Sequence, residues 1–254
     1  MSNAIERLRE SERALDAERR LLNDALARLD ETKQRRVARR TGRLVFGLDL
    51  TGSREPGLKQ ARIATAAMFD AIRIFGSIEV KLVYYRGTNE CRESSWHADA
   101  DVLRRSMLKL SCERGNTQIA KLLRLVLGRS EKLSAVVFVG DHCEENPEEL
   151  LALAERLRDK AIPLFVFHEC DDHDQWSLRA KPLFRRMAET SGGVYVEFRP
   201  DSGDALKELL PNIAAFSVAG AEGVERLALP VSPEAKQLRS RLLLSSSGNG
   251  GAKN

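Results

Sequence analysis

The chain has 254 residues, of which 43% are hydrophobic and 31% charged, a composition ordinary for a protein with a buried core. Its net charge of +4 is too small to indicate a nucleic-acid partner by itself, and no apolar run approaches the roughly 18 to 20 residues that span a bilayer. The N-terminus carries charges where a signal peptide has its apolar core, and four cysteines in such a chain are typical of reduced thiols, so we expect a cytoplasmic protein without a membrane partner.

A long amphipathic helix is predicted over residues 3–38, which are polar and rich in helix-forming residues. Leucine recurs at every seventh position, as Leu8, Leu15, Leu22 and Leu29. This spacing favours a coiled coil, but polar residues and alanine fill the second seam position, so the helix could form a homodimer or lie against the main domain. The basic segment 33–43 follows, and it is typical of a solvated helix end or, alternatively, of a nucleic-acid contact through phosphates.

Apolar and helical segments then alternate as far as residue 216. The predicted strands are 44–50, 78–85, 134–140, 162–168 and 193–198. The predicted helices are 58–75, 99–109, 117–129, 147–160, 179–190 and 203–215. Such alternation predicts an α/β fold, a doubly wound and mostly parallel sheet sandwiched by helices.

The edges of this region have their own patterns. Residues 80–96 read as a hairpin that adds one short antiparallel strand at the edge of the sheet. Beyond residue 217 some helical periodicity gives way to a polar, glycine-rich end. We therefore predict three parts: the helix and basic linker at 1–42, the main domain at 43–216, and a tail at 217–254 that is partly helical and then disordered.

Three oxygen-bearing side chains stand at the end of the first strand. The apolar run 44–50 ends in Asp49, and two hydroxyl residues follow at alternate positions, Thr51 and Ser53. Oxygen ligands of this kind suit a hard divalent cation. The end of this strand therefore predicts one part of a metal site.

Two later residues are placed to complete such a site. Asp141 directly follows the apolar strand 134–140, and Thr117 stands at the predicted N-cap of the helix 117–129 with a hydroxyl free to bind. Loops at the carboxyl ends of parallel strands converge on one edge of the sheet. We therefore expect two aspartates and three hydroxyls to face one point.

This pattern resembles the von Willebrand factor type A domain with its metal-ion-dependent adhesion site. The signature of that site is Asp-x-Ser-x-Ser, a distant threonine and a further aspartate after a buried strand. Here it reads Asp49-Leu50-Thr51-Gly52-Ser53, then Thr117, then Asp141. Threonine at position 51 replaces the usual serine and keeps the hydroxyl. The resemblance covers about residues 43–216.

The resemblance implies how the site would work. A magnesium ion, or manganese or calcium, would be bound directly by Thr51 and Ser53, with Asp49, Thr117 and Asp141 acting partly through water. In relatives the open coordination position takes a carboxylate from a protein partner. We accordingly expect an intracellular protein-binding or assembly module and not an enzyme. Bacterial relatives of this kind often deliver a target to an AAA+ ATPase of the MoxR type, which suggests an adaptor.

Alternative functions have weaker support in the sequence. A phosphate-binding loop is excluded because Ser53-Arg54 stands where Lys-Ser/Thr is needed. An enzyme with a second metal or a reactive thiol is the main alternative, and it would use His142, Cys143, His168, Cys170 and His173. The acidic residues of the same loops, which include Glu144, Glu145, Glu148 and Glu149, are predicted to form a solvated rim.

Overall fold

The computed structural model describes Arg19 and residues 41–52, 77–199 and 205–247. Apart from the helical Arg19, these residues belong to one compact unit, Arg40–Asn254. The predicted helix at 58–75, the rest of the helix at 3–38, Ser53 and the chain beyond residue 247 lie outside the described residues.

One mixed sheet runs through the described part of the chain. Its strands are β1 (Thr41–Asp49), β2 (Ser77–Arg86), β3 (Glu90–His97), β4 (Ala135–Gly140), β5 (Leu164–Glu169) and β6 (Tyr195–Phe198). Their spatial order is β3-β2-β1-β4-β5-β6, and only β3 runs antiparallel to its neighbour. The predicted doubly wound, mostly parallel sheet with one antiparallel edge strand is confirmed.

Helices connect and cover these strands. Those described are α1 (Ala100–Leu108), α2 (Ile119–Leu127), α3 (Pro147–Asp159), α4 (Gln175–Ser191), α5 (Ala205–Glu225) and α6 (Pro233–Ser247). Every residue of β4 and β5 is buried, as expected for strands covered on both faces. Among the described helices, none has both the length and the apolar character that a membrane crossing requires.

Local sequence explains where several helices begin. The Asn146 side chain accepts hydrogen bonds from the second and third residues of α3, and Pro147 opens the helix with no N–H to satisfy. Asp174 caps α4 in the same way by accepting from the backbone N–H of Trp176 at 2.9 Å. This cap starts α4 at Gln175, four residues before the predicted start at 179.

The C-terminal helices continue past the predicted end of the main domain at residue 216. Helix α5 runs to Glu225 with a break at Gly220, whose φ of 64° and ψ of −148° are not helical. Helix α6 packs along α5 and buries Leu238 and Leu242. The limits of the three predicted parts remain predictions.

Two adjacent glycines between α4 and β6 are needed for different reasons, which gives a test of the fold. Gly192 has a left-handed φ of 81°, and a Cβ there would meet nothing within 4 Å in the described chain. A Cβ on Gly193 would lie 2.0 Å from the carbonyl oxygen of Leu164 in β5. A side chain at position 192 is disfavoured by the left-handed backbone conformation, whereas a side chain at position 193 is disfavoured by the lack of space.

We expect Gly192→Ala to lower the free energy of unfolding by about 1 kcal/mol, the usual strain of a left-handed non-glycine residue. Gly193→Ala should cost more than about 3 kcal/mol because the backbone of β5 must move. Urea denaturation followed by circular dichroism measures both values. Equal losses in the two variants would contradict this assignment of causes.

Candidate metal centre

The two aspartates of the predicted site leave the sheet side by side. Strands β1 and β4 pair in parallel, with Leu48 opposite Val139, so Asp49 and Asp141 emerge at the same edge. Their residues are only 2% and 8% exposed. The two aspartates therefore lie at the same edge of the sheet, as the order of the strands predicts.

Among the described residues, two donors hold the Asp49 carboxylate. One oxygen, Oδ1, accepts the backbone N–H of Thr51 at 2.8 Å, and Oδ2 accepts the Tyr85 hydroxyl at 2.8 Å. Burial, reinforced by the charge of Asp49, raises the pKa of Tyr85 well above its ordinary value, so the phenol stays protonated and donates. Tyr85 was missed in the sequence, although it lies opposite Asp49 in the parallel register of β1 and β2.

Asp141 is compensated only in part. Its Oδ2 lies 3.9 Å from His142 Nε2, whereas Oδ1 is buried and has no hydrogen-bond partner among the described residues. A buried polar oxygen without a partner is costly, and a cation would satisfy it. The oxygen ligands at this edge thus fit a hard divalent metal.

A buried histidine, His168 of β5, holds the backbone carbonyl of Asp141. His168 Nε2 lies 3.0 Å from the Asp141 carbonyl oxygen, and Nδ1 lies 2.7 Å from the Tyr195 hydroxyl. Burial lowers the pKa of His168 to about 4, so the ring is neutral at neutral pH. Tyr195 donates to Nδ1, and the single ring proton on Nε2 is then available to the carbonyl oxygen of Asp141.

Thr117 does not occupy the position predicted for it. The N-cap of α2 is Gln118, whose side chain makes no capping bond. The Thr117 hydroxyl is engaged, because it donates to Glu144 Oε2 at 3.0 Å and accepts the Glu144 backbone N–H at 3.2 Å. The prediction that Thr117 is the N-cap with a free hydroxyl is therefore wrong. Thr117 lines the cavity described below, but its hydroxyl is bound to Glu144.

A cavity of about 350 Å³ opens beside these groups. Its lining comprises Thr51, Gly52, Arg114, Gly115, Thr117, His142 and Glu144. Two of the predicted hydroxyl ligands thus line one cavity, while the two aspartates lie at the ends of its supporting strands. The placement of Ser53, the fifth predicted ligand, is outside the described residues.

The cysteine and histidine cluster does not form a second centre. The His142 ring pairs with the Asp174 carboxylate at 2.5 Å, and His168 is buried in its own network. Burial raises the pKa of Cys143 to about 12 and also raises that of Cys170, which disfavours reactive thiolates. Within the described ranges, no three His, Cys, Asp or Glu side chains converge on one metal position.

Of the basic segment 33–43, only its last three residues are described, and Arg43 is their one basic side chain. Its Nε donates to Glu79 Oε2 at 2.7 Å, and the guanidinium lies 5.5 Å from the centroid of the Trp96 ring. These contacts place Arg43 in the main domain, where it is partly neutralised.

Comparison with known proteins identifies the fold. Neither a family model nor a curated protein sequence matches the chain. A solved von Willebrand factor type A protein from Catenulispora acidiphila superposes with a TM-score of 0.57 at 17% identity, covering 70% of this chain and 43% of that one. The chain has the von Willebrand factor type A fold.

Two further solved structures share this type A fold. An aerotolerance-related membrane protein from Bacteroides fragilis gives a TM-score of 0.52 at 16% identity, with 65% of this chain and 95% of that chain covered. A mutant of the PilB minor pilin from Streptococcus sanguinis gives 0.53 at 10% identity, with 69% and 61% covered. The chain therefore spans less than half of the first relative and nearly all of the second.

Because Asp141 is only partly compensated, replacing it with asparagine should affect thermal stability differently with and without metal. In metal-free buffer, Asp141→Asn should leave the melting temperature unchanged or raise it, because a buried negative charge is removed. Magnesium at about 100 times its Kd should stabilise the wild type by about 2.7 kcal/mol, or about 5 to 10 °C, and should not stabilise the variant.

Differential scanning calorimetry in EDTA and in magnesium measures both effects. Asp159→Asn, at the exposed end of α3, is the matched control and should respond to magnesium as the wild type does. If Asp141→Asn melts well below the wild type in EDTA, the carboxylate of Asp141 stabilises the metal-free fold, which would contradict its assignment as a group that a metal must compensate.

Proposed function

We propose that this chain is a metal-dependent protein-binding module. It holds Mg²⁺, with Mn²⁺ or Ca²⁺ as alternatives, through Asp49, Thr51, Ser53, Thr117 and Asp141. The observation that carries the proposal is the buried Asp141 Oδ1, which has no partner in the described chain and lies at the sheet edge that also carries Asp49. The metal captures a carboxylate of another protein.

The charges of the site support capture of an anion. The hydroxyl ligands are neutral, so the two aspartates supply the negative charge that offsets the cation. Asp49 accepts hydrogen bonds from the Thr51 backbone N–H and the Tyr85 hydroxyl, which spread its charge onto these groups. The ion then stays electrophilic, and an Asp or Glu from a partner completes its coordination.

Binding is favoured over catalysis by the groups near the cavity. A hydrolase needs a nucleophile with a base in hydrogen-bond reach. The nearby thiol of Cys143 is kept protonated by burial, and no hydrogen bond within the described chain joins it to the His142 ring. Nothing in this arrangement calls for turnover.

The partner surface extends along the start of α4. Trp176 is 55% exposed, and its backbone N–H is held by the same Asp174 carboxylate that pairs with His142 of the cavity wall. Exposed tryptophans next to a polar anchor are frequent hot spots of protein interfaces. The Arg179 guanidinium lies 5.3 Å from the Trp176 ring centroid and orients the indole.

The finer part of the proposal concerns the partner itself. We infer an adaptor that delivers a bound target to an AAA+ ATPase of the MoxR type, with the predicted helix at 3–38 pairing two copies for avidity. This part stands on the resemblance of the site motif and the fold, and it is tested separately from metal capture.

A magnesium-dependent capture experiment tests both parts. Tagged wild-type protein is exposed to native lysate in magnesium, in EDTA, and in EDTA followed by excess magnesium, and bound proteins are identified by mass spectrometry. We expect partners that bind only with magnesium, return when it is restored, and are lost with Asp141→Asn but not with Asp159→Asn.

Two results would contradict the proposal at different levels. An identical set of bound proteins in magnesium and EDTA would rule out metal-gated capture. A magnesium-dependent set that lacks any AAA+ ATPase would leave capture standing and remove the adaptor role. Trp176→Ala should weaken the magnesium-dependent capture without changing the melting response to magnesium.

A further inference from the structure

Glu144 is solvent-exposed, as the predicted rim implies, and it also bonds Thr117 at the candidate metal centre. Its Oε2 accepts both the hydroxyl and the backbone N–H of Thr117, each at 3.0 Å. Its own backbone N–H donates back to the Thr117 hydroxyl oxygen at 3.2 Å. Three hydrogen bonds thus join the loop after β4 to the residue that the adhesion-site pattern assigns to the metal.

These bonds leave the Thr117 hydroxyl with one orientation. A hydroxyl has one proton to donate and two lone pairs to accept with. The proton goes to Glu144 Oε2, and one lone pair accepts the Glu144 N–H. Within the described chain the second lone pair is the one left for a cation.

A carboxylate that accepts a ligand's proton also makes that ligand a better donor to the metal. Outer-shell carboxylates act in this way on metal-bound groups, because they draw the proton away and fix the orientation of the ligand. The Oε2 atom of Glu144 is already used by the hydroxyl and the backbone N–H of Thr117. Its effect on the metal therefore passes through Thr117.

The neighbouring Glu145 also accepts hydrogen bonds through its carboxylate, but from the first turn of α2 and not from Thr117. Glu145 accepts the backbone N–H of Ile119 at 2.5 Å and that of Ala120 at 2.8 Å. It thereby caps the first turn of α2, which its own N-cap residue Gln118 leaves uncapped. Glu145 stabilises the helix and makes no hydrogen bond to Thr117 within the described chain, so it serves as a matched control.

We infer that Glu144 is a positioning residue of the metal centre, which orients and polarises the Thr117 hydroxyl as a ligand for the divalent cation. The inference rests on the proposed function, because it presumes that the centre binds a metal. Glu144 is not part of the adhesion-site signature, so this role is additional to the five residues of that pattern.

Isothermal titration with Mg²⁺, repeated with Mn²⁺, tests this role in the full chain. Glu144→Ala should weaken the metal affinity about 10- to 100-fold, the usual effect of losing an outer-shell partner. Glu144→Gln keeps an oxygen for the Thr117 hydroxyl but loses the charge, so its affinity should lie between those of the wild type and Glu144→Ala. Glu145→Gln should lower the melting temperature and leave the affinity within about twofold.

A double-mutant cycle separates positioning from a direct effect of charge. If Glu144 acts through Thr117, then Thr117→Ala combined with Glu144→Ala should bind metal as weakly as Thr117→Ala alone. Additive losses would overturn the positioning role, because they would mean that Glu144 acts on the ion independently. If Glu144→Ala does not fold, Glu144→Gln decides alone, and an unchanged affinity overturns the inference.

The two proposals fail in distinguishable ways. A wild-type chain that binds neither ion contradicts the proposed function and, with it, the role of Glu144. A wild-type chain that binds metal while Glu144→Ala binds it equally well contradicts only the role of Glu144.

Discussion

Parallel pairing of β1 with β4 forces two aspartates to one edge of the sheet, where both are nearly buried. Like charges brought close in a poorly hydrated site repel more strongly than in water, so each carboxylate must be compensated locally. Asp49 receives a phenol and a backbone N–H, whereas Asp141 keeps one oxygen without a partner in the described chain. The two carboxylates thereby carry a local electrostatic cost at this edge, which a bound divalent cation would remove.

The backbone beneath this edge is held far more firmly than the Asp141 side chain. His168 bridges the Asp141 carbonyl and Tyr195, and Ser177 Oγ lies 3.1 Å from the same Nε2. A buried network in which the polar atoms are paired makes the surrounding structure rigid. The loop is therefore already in place before any ion arrives, and metal binding would spend little free energy on ordering it.

Much of the sheet was predictable because apolar runs mark buried strands, and alternation with helices implies parallel pairing. The meeting of Asp49 with Asp141 followed from that topology alone. Tyr85 was not predictable to the same degree, since adjacent tyrosines at 84 and 85 point to opposite faces and a shift of one residue exchanges them. Its role depends on the register of β1 and β2, which sequence patterns leave undetermined. Ser53 and the helix at 3–38 lie outside the described residues, so those expectations stay as they were.

The glutamates after β4 show why part of the site could not be predicted. Glu144, Glu145, Glu148 and Glu149 all lie within six residues and look alike in the sequence. Their functions differ because α2 begins beside this loop with an N-terminus that its own cap residue does not satisfy. Partial positive charge at that helix end attracts the first two carboxylates, while Glu149 faces outward and pairs with Arg124. The threonine just before α2 is thus bound to the loop that carries Asp141, so these two distant parts of the chain lie together at the candidate metal centre.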